Sequence, residues 1–451
     1  MNIVTHVHAS TRHPDGLAKV TVEVPDLETQ RDLDISFDKL HMQCGVPDKV
    51  SLDLLFVASI CYIIDKTVPR ASAFDRWTRE FEVSIPVSAH KKWQSVTREL
   101  ESALGFLTGD VWQFSFHEME TDLFVEPKRK RRRRKISPTV ENVAAVCLFS
   151  GGLDSLIGAI DLLAKNESAG IRLVGHYDAA GAKSSQNELF ATLNGYYSRR
   201  AELLQVRVSH KPLEAEENTL RSRSLLFMAL GIYAARAAGA LAPLYAPENG
   251  LIAMNIPLTP SRSGSCSTRT MHPFFLQKLR EVLRKLEIEN PITNPFEFIT
   301  KGESADECLN PDLLASLIES SVSCSHSTRK QHWHRRAREV RNCGYCVPCL
   351  IRRAALHKVE LDDPQMYGVD VCQEELKFDD EFGSADDLRA ILTMLNSGKT
   401  VADFKSEIQS VAPVDRLGER AEMIARGFNE IRALIQNKGS KSVRQAAGIV
   451  G

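Results

Sequence analysis

From Asn142 onward the chain alternates short apolar runs with stretches of helical periodicity, and few folds accept that alternation. Val143–Phe149, Ile171–Tyr177, Leu203–Val208 and a segment near Leu244 have strand length and composition. Leu153–Lys165, Ser185–Ser198 and Ser224–Ala238 carry apolar residues at helical spacing, and a further strand is expected over Phe296–Thr300. Strands separated by helices must pair in parallel through right-handed crossovers, with helices covering the sheet. The expected fold class is therefore α/β with a parallel sheet. Such sheets bind ligands at the C-terminal ends of their strands.

Upstream the pattern differs. Val20, Val22 and Val24, then Leu33, Ile35 and Phe37, alternate with polar residues and predict two strands. Ser51–Val68 reads as a helix, Phe81–Val87 as a strand, Ala89–Leu107 as a helix and Val111–Phe116 as a strand. Trp77, Trp93 and Trp112 are expected in its core. The reading is a small accessory α+β domain over 1–125, with no catalytic constellation, then a basic linker over 126–140. The α/β domain follows over 141–375 and a helical region over 376–451, of which Arg416–Asn437 is typical. No internal repeat is present.

The 451 residues carry a formal net charge of −1, but the charge is unevenly placed. Lys128–Lys135 reads KRKRRRRK, and without those eight cations the rest sums to −9. Such a run repels itself and attracts polyanions. Nucleic acid, an acidic partner or plain solvation as a linker all fit it. The N-terminus lacks the basic and apolar segments of a signal peptide. The most apolar window, Leu225–Ala246, is broken by Arg236 and Gly239. A membrane span needs roughly 20 apolar residues, so a buried helix and a strand are expected there, with no membrane contact and a cytoplasmic location. In a reducing compartment the ten cysteines are metal ligands, catalytic groups or core residues rather than disulfides. Cys61 and Cys147 lie in apolar runs and read as core.

Two segments carry chemistry. Ser150-Gly151-Gly152-Leu153-Asp154-Ser155 falls between an apolar strand and a helix. Two glycines let the backbone approach an anion, and a helix start favours negative charge. Ser150 and Ser155 add hydroxyls, and Asp154 supports the loop or holds Mg²⁺. The Lys and spaced glycines of a Walker A loop are absent. An ordinary Gly-Gly turn with a capping residue is the bland alternative. The second segment, Cys343-Gly344-Tyr345-Cys346-Val347-Pro348-Cys349, has two successive C-x-x-C spacings, with Cys324 upstream. Four thiolates satisfy tetrahedral Zn²⁺ without an open position, which makes the site structural. His326, His332 or His334 can replace Cys324, and a redox pair or an iron–sulfur cluster is the competing use of these thiols.

The SGGxDS loop after the first strand resembles the signature of the PP-loop, or N-type, ATP pyrophosphatases. That resemblance implies an adenine-nucleotide α-hydrolase-like sheet that binds ATP, adenylates a substrate oxygen and releases pyrophosphate before a nucleophile displaces AMP. Combined with C…CGxCxxCxxR, which includes Arg352, it resembles the 7-cyano-7-deazaguanine synthase (QueC) family, whose four cysteines hold zinc. Two features depart from that family. The interval between the first two cysteines is longer, and HYDAAGAKSSQNE from His176 replaces a Tyr-Gly-Gln segment. ENTLRSRSLLFMALG from Glu217, PENGLIAMNIPLTPSR from Pro247 and GSCSTRTMHP from Gly264 resemble QatC, the QueC-like branch of the bacterial Qat anti-phage system. The resemblance covers roughly residues 140 to 360.

What the resemblance implies is an ATP-dependent, C–N bond-forming ligase of antiviral defence, using ATP, Mg²⁺ and Zn²⁺. Ser150, Gly151, Gly152, Leu153, Asp154 and Ser155 would bind ATP, with Asp154, Lys301 and Arg223 catalytic. Arg223 begins a helix, where a cation is misplaced unless it faces an anion. Thr268, Arg269 and His272 would hold a 7-carboxy-7-deazaguanine-like base, and Glu248 and Asn249 the nucleotide or substrate. The bland alternatives are a solvated loop over 261–270, capping by Glu248 or Asn249, and an exposed lysine at 301. The amine acceptor is ammonia or a protein partner from the same operon. Two other functions stay open: a tRNA sulfurtransferase with Cys266 as its thiol, or a non-catalytic nucleotide-sensing scaffold.

Overall fold

The computed structural model describes residues 4–12, 16–126, 140, 142–177, 180–212, 217, 219–259, 269–326, 340–373 and 386–449. The basic run Lys128–Lys135, Cys266, Thr268, His332 and His334 lie outside the described residues.

The N-terminal part forms strands β1 (Val4–Arg12), β2 (Gly16–Leu17), β3 (Lys19–Val24) and β4 (Thr29–Ile35), then helices α1 (Phe37–Cys44) and α2 (Lys49–Thr67). Strand β5 (Glu80–Val87), helices α3 (His90–Gln94) and α4 (Thr97–Thr108), and strands β6 (Val111–Glu118) and β7 (Phe124–Val125) follow. Phe37 does not end a strand as its alternation suggested. The backbone amide of Ser36 donates to the Arg207 carbonyl, and the chain turns there into α1 with Phe37 buried. The helix expected over 89–107 is two helices, because the chain turns at Ser95 and Val96. Trp93 and Trp112 are buried, whereas Trp77 is 37% exposed beside the guanidinium groups of Arg70 and Arg221, so it is not a core residue.

The central part forms β8 (Val143–Leu148), α5 (Leu153–Lys165), β9 (Gly170–His176), α6 (Ala180–Tyr196), β10 (Ala201–Val206), β11 (Val208–Lys211) and α7 (Arg223–Ala238). It continues with β12 (Leu244–Tyr245), α8 (Gly250–Met254), α9 (Pro273–Lys285), β13 (Ile292–Thr293), α10 (Lys301–Asp306), α11 (Pro311–Leu317) and α12 (Val347–Lys358). The C-terminal region adds α13 (Asp386–Asn396), α14 (Val401–Val411), α15 (Leu417–Lys438) and α16 (Lys441–Ala446). The strand expected over Phe296–Thr300 is instead a turn. The Asn294 side chain accepts from the Phe296 and Glu248 amides, which bends the chain just past β13.

The protein is α/β. Its five-stranded sheet runs β10-β9-β8-β12-β13, and every pair is parallel. The chain starts at β8, builds outward through β9 and β10, then crosses to the other side with β12 and β13. The reversal lies between β8 and β12, where a doubly wound sheet opens a crevice. The second sheet is mixed, in the order β11-β4-β3-β1-β5-β6. Its edge strand β11 comes from the central part and pairs antiparallel with β4. The segment expected as one strand over Leu203–Val208 is thus divided between the two sheets.

Sixteen of the 19 residues of α2 are buried, as befits a helix apolar on all sides. It packs against α7 and against strands β3, β4 and β11, while α7 packs on β8, β9 and β12. The two sheets therefore share one core, which includes Val22, Leu55 and Ile63 with Val146, Val174 and Leu226. Among the described residues, no helix is long and apolar enough to cross a membrane.

Candidate functional site

The loop after β8 lies at the topological reversal. Gly151 has φ +88°, a conformation that strains any residue with a Cβ. Gly152 is the residue before α5, with no capping side chain of its own. The Ser150 hydroxyl lies 3.3 Å from the Ser155 hydroxyl and accepts from the Gly152 amide at 3.3 Å. The Leu153 amide donates to Ser323 Oγ at 3.1 Å, and Ser155 Oγ donates to the Gly152 carbonyl at 3.0 Å. Serine hydroxyls thus occupy the positions that anion oxygens take at a helix start.

Asp154 stands on the first turn of α5. Its Oδ2 takes the ammonium of Lys301 at 3.1 Å and the Asn249 amide nitrogen at 2.9 Å. Its Oδ1 is out of solvent contact and has no hydrogen-bond partner among the described residues. Lys301 is only 2% exposed, so its charge is compensated by Asp154. Asn249 is fully buried; its Oδ1 accepts from the Ile252 amide and caps α8 while its nitrogen steadies Asp154.

A cleft of about 170 Å³ opens beside the loop. Ser150, Ser155, Arg223, Ser224, Glu248 and Thr270 give it a polar wall, and Leu148, Phe227 and Met271 an apolar one. Arg223 begins α7; its Nε donates to His176 Nδ1 at 3.0 Å and its Nη2 to the His176 carbonyl at 3.2 Å. An arginine only donates, so His176 Nδ1 accepts and its proton sits on Nε2. Glu248 Oε1 is closed off from solvent without a partner among the described residues. Burial, then the Asp154 charge, push the Glu248 carboxyl up to about 8.

The expected base-binding residues are distributed differently. Arg269 lies over the Phe106 ring, 4.4 Å from its centroid, and donates to the Phe106 carbonyl, away from the cleft lining. His272 is fully buried and its Nδ1 accepts from the Phe274 amide, capping α9; burial pushes its imidazole down to about 3. Thr270 and Met271, between them, reach the cleft. The sequence reading also missed Gln186, whose amide nitrogen donates to the Ser150 and His176 carbonyls. A cluster of polar residues after His176 was the only sign of it.

The four cysteines come together. Sγ atoms of Cys324, Cys343, Cys346 and Cys349 lie within 4.8 Å of one another. A tetrahedral Zn²⁺ with Zn–S of about 2.3 Å sets Sγ–Sγ edges near ~3.8 Å. The Cys343–Cys349 and Cys346–Cys324 pairs measure 3.8 and 4.0 Å. Backbone amides of His326 and Cys343 point at Cys324 Sγ, and that of Cys346 at Cys343 Sγ. Burial pushes the Cys343 and Cys349 thiols up, and a bound dication is the charge that would stabilise their thiolates. Gly344 turns the knuckle at φ +89°, and a Cβ there would sit 2.1 Å from the Val369 carbonyl oxygen. The donor set fits a metal ion such as zinc, with Cys324 as the fourth thiol.

The cluster is joined to the loop. Residues 320–324 run from the Ser185 hydroxyl, which donates to the Ser320 carbonyl, to Cys324. Between them the Val322 amide donates to the Gly151 carbonyl at 2.8 Å, and Ser323 receives the Leu153 amide. Asn342, next to Cys343, accepts from the Ser323 amide and donates to the Ser321 carbonyl. Arg352 is buried and donates to Ser321 Oγ and the Ile318 carbonyl, bracing the same strap. No family model, curated protein or solved structure matches the chain.

Proposed function

We propose that the chain is an ATP-dependent ligase resembling the QueC family, which adenylates the carboxylate of a 7-deazaguanine and transfers the acyl group to an amine. The observation that carries this reading is the SGGLDS loop at the sheet's reversal, with Arg223 and Glu248 lining a cleft and the buried Asp154–Lys301 pair acting on Glu248. The fold is then an adenine-nucleotide α-hydrolase-like sheet. The loop amides and hydroxyls bind phosphate oxygens, displacing the serine contacts that satisfy them in the free protein. Lys301 and Arg223 stabilise charge that develops on the phosphates. Asp154 Oδ1 and Glu248 Oε1, two unpartnered carboxylate oxygens, would hold Mg²⁺, which neutralises phosphate charge.

In the first step a substrate carboxylate oxygen forms a bond to the α-phosphorus and the bond to pyrophosphate breaks. In the second an amine nitrogen bonds to the acyl carbon, AMP leaves with the electron pair of the acyl–oxygen bond, and the nitrogen loses a proton. Ammonia gives an amide, which a second ATP can dehydrate to a nitrile; a protein amine gives a conjugate. Zn²⁺ on the four cysteines is structural in this scheme. The defence setting and its partner proteins rest on the QatC-like segments at 217–231, 247–262 and 264–273.

The test incubates the protein with ATP, Mg²⁺ and a 7-carboxy-7-deazapurine, with ammonium or a candidate partner protein as acceptor, and reads masses. AMP and pyrophosphate in equal amounts, with a product shifted by the acyl transfer, are expected, and Asp154→Ala should abolish them. Absence of AMP and pyrophosphate with every acceptor overturns the ligase reading.

A further inference from the structure

The N-terminal part reaches the residue next to a cleft-lining arginine, through one carboxylate. Asp65, near the end of α2, is fully buried, and its two oxygens serve different parts of the chain. Oδ1 pairs with Arg79 of its own domain at 2.6 Å. Oδ2 accepts from the Ser222 amide at 3.1 Å, the Ser222 hydroxyl at 2.6 Å and the Thr219 hydroxyl at 3.3 Å. Ser222 occupies the residue before α7 yet makes no capping bond to that helix; its hydroxyl is spent on Asp65. The next residue is Arg223.

A guanidinium at a helix start is opposed by the helix dipole. Here a buried carboxylate bonded to the preceding residue, Ser222, fixes the backbone from which the guanidinium projects. The other end of Arg223 is held by His176, and the His176 ring is met edge-on by Tyr62, also on α2, at 5.8 Å between centroids. One face of α2 thus reaches Ser222 and His176, the neighbours at the two ends of the arginine. A carboxylate needed only to neutralise Arg79 would not place its second oxygen on the amide and hydroxyl of a residue 157 positions away.

We propose that Asp65 is a positioning residue, which acts through Ser222 to aim Arg223 into the cleft for an anionic group of the ligand. That the anion is a nucleotide phosphate rests on the function proposed above; the clamp itself does not.

Ser222→Ala tests it, because it removes the hydroxyl link while leaving the Asp65–Arg79 pair intact, and no cap is lost. In the ligand-free full chain, amide hydrogen exchange at residues 219–226 should rise several-fold with the global melting transition unchanged. Unchanged exchange there overturns the clamp, whatever the protein binds. With Mg²⁺ and ATP as probe, calorimetry should show roughly tenfold weaker binding for Ser222→Ala, restored by Ser222→Thr. In an Arg223→Ala background the same change should cost nothing more. Independent, multiplicative losses in that cycle overturn the proposal. Wild-type protein that binds no ATP defeats the nucleotide reading instead, and the exchange measurement still decides the clamp.

Discussion

Glu248 lines the cleft, Asp154 lies close enough to repel it, and the titration of Glu248 is a property of the fold. The Glu248 carboxyl is pushed up to about 8, first by burial and then by repulsion from Asp154. The folded protein therefore holds a proton that the unfolded chain releases near pH ~4.3. Between those two values the folded state binds more protons, so stability falls as pH rises, and the contribution is lost by pH about 8. Glu248→Gln has no proton to lose. Its melting temperature relative to wild type should match near pH ~4 and rise steadily until pH ~8, then stay level. Melting curves across that range check it, and a constant difference contradicts the buried carboxyl. At this scale the sequence named Asp154, Lys301 and Arg223 from local motif and placement. It offered Asn249 as a ligand contact or a helix cap; the side chain caps α8 and also holds Asp154, 95 positions away.

Among the elements, the strap over 320–324 matters most to the loop, and it has no regular secondary structure to announce it. It donates to Gly151, accepts from Leu153, and ends on a sulfur of the cysteine cluster. Stripping the metal should therefore loosen the loop as well as the knuckle. A Cys346→Ser chain is expected to carry about one equivalent less zinc, with faster amide exchange at Gly151–Ser155 in the absence of nucleotide. Metal loss with unchanged exchange at the loop would separate the two features. The C-terminal helices, which their polar pattern marked as accessory, hold the segment that carries Lys301. On α15, Glu430 accepts from the Thr300 hydroxyl and from the Gly302 amide at 3.2 Å, flanking Lys301. Arg420 of the same helix pairs with Glu297 at 2.6 Å. The sequence pattern marked Arg416–Asn437 as helical and polar. It carried no information about which loop that helix would grip, and so the turn over 296–300 read as a strand.

For the whole molecule, the basic run divides the chain but neither the N-terminal sheet nor the core. Strand β11 closes the edge of the N-terminal sheet, and α2 is buried against α7. A chain cut between Glu126 and Val140 is expected to elute as one species and to melt in a single transition. Two separate transitions, or dissociation of the pieces on gel filtration, would show that the halves are independent. The isolated piece from residue 142 would expose the α7 face that α2 covers, and apolar area left open costs about 25 cal/mol per Å².

Local signals carried the sequence reading a long way. The strand–loop–helix alternation fixes the parallel sheet, the paired glycines fix the loop's backbone, and cysteine spacing fixes the knuckle. Each is decided within a few residues by torsional preference, apolar period or ligand reach. The tertiary structure alone decided that Asp65 meets Ser222, that Lys301 lies on Asp154, and that Ser323 receives the loop's amide. Those partners lie 157, 147 and 170 residues apart. Buried polar atoms must find partners, but a linear pattern does not say which ones; only the packing of the two sheets and their helices brings these pairs within reach.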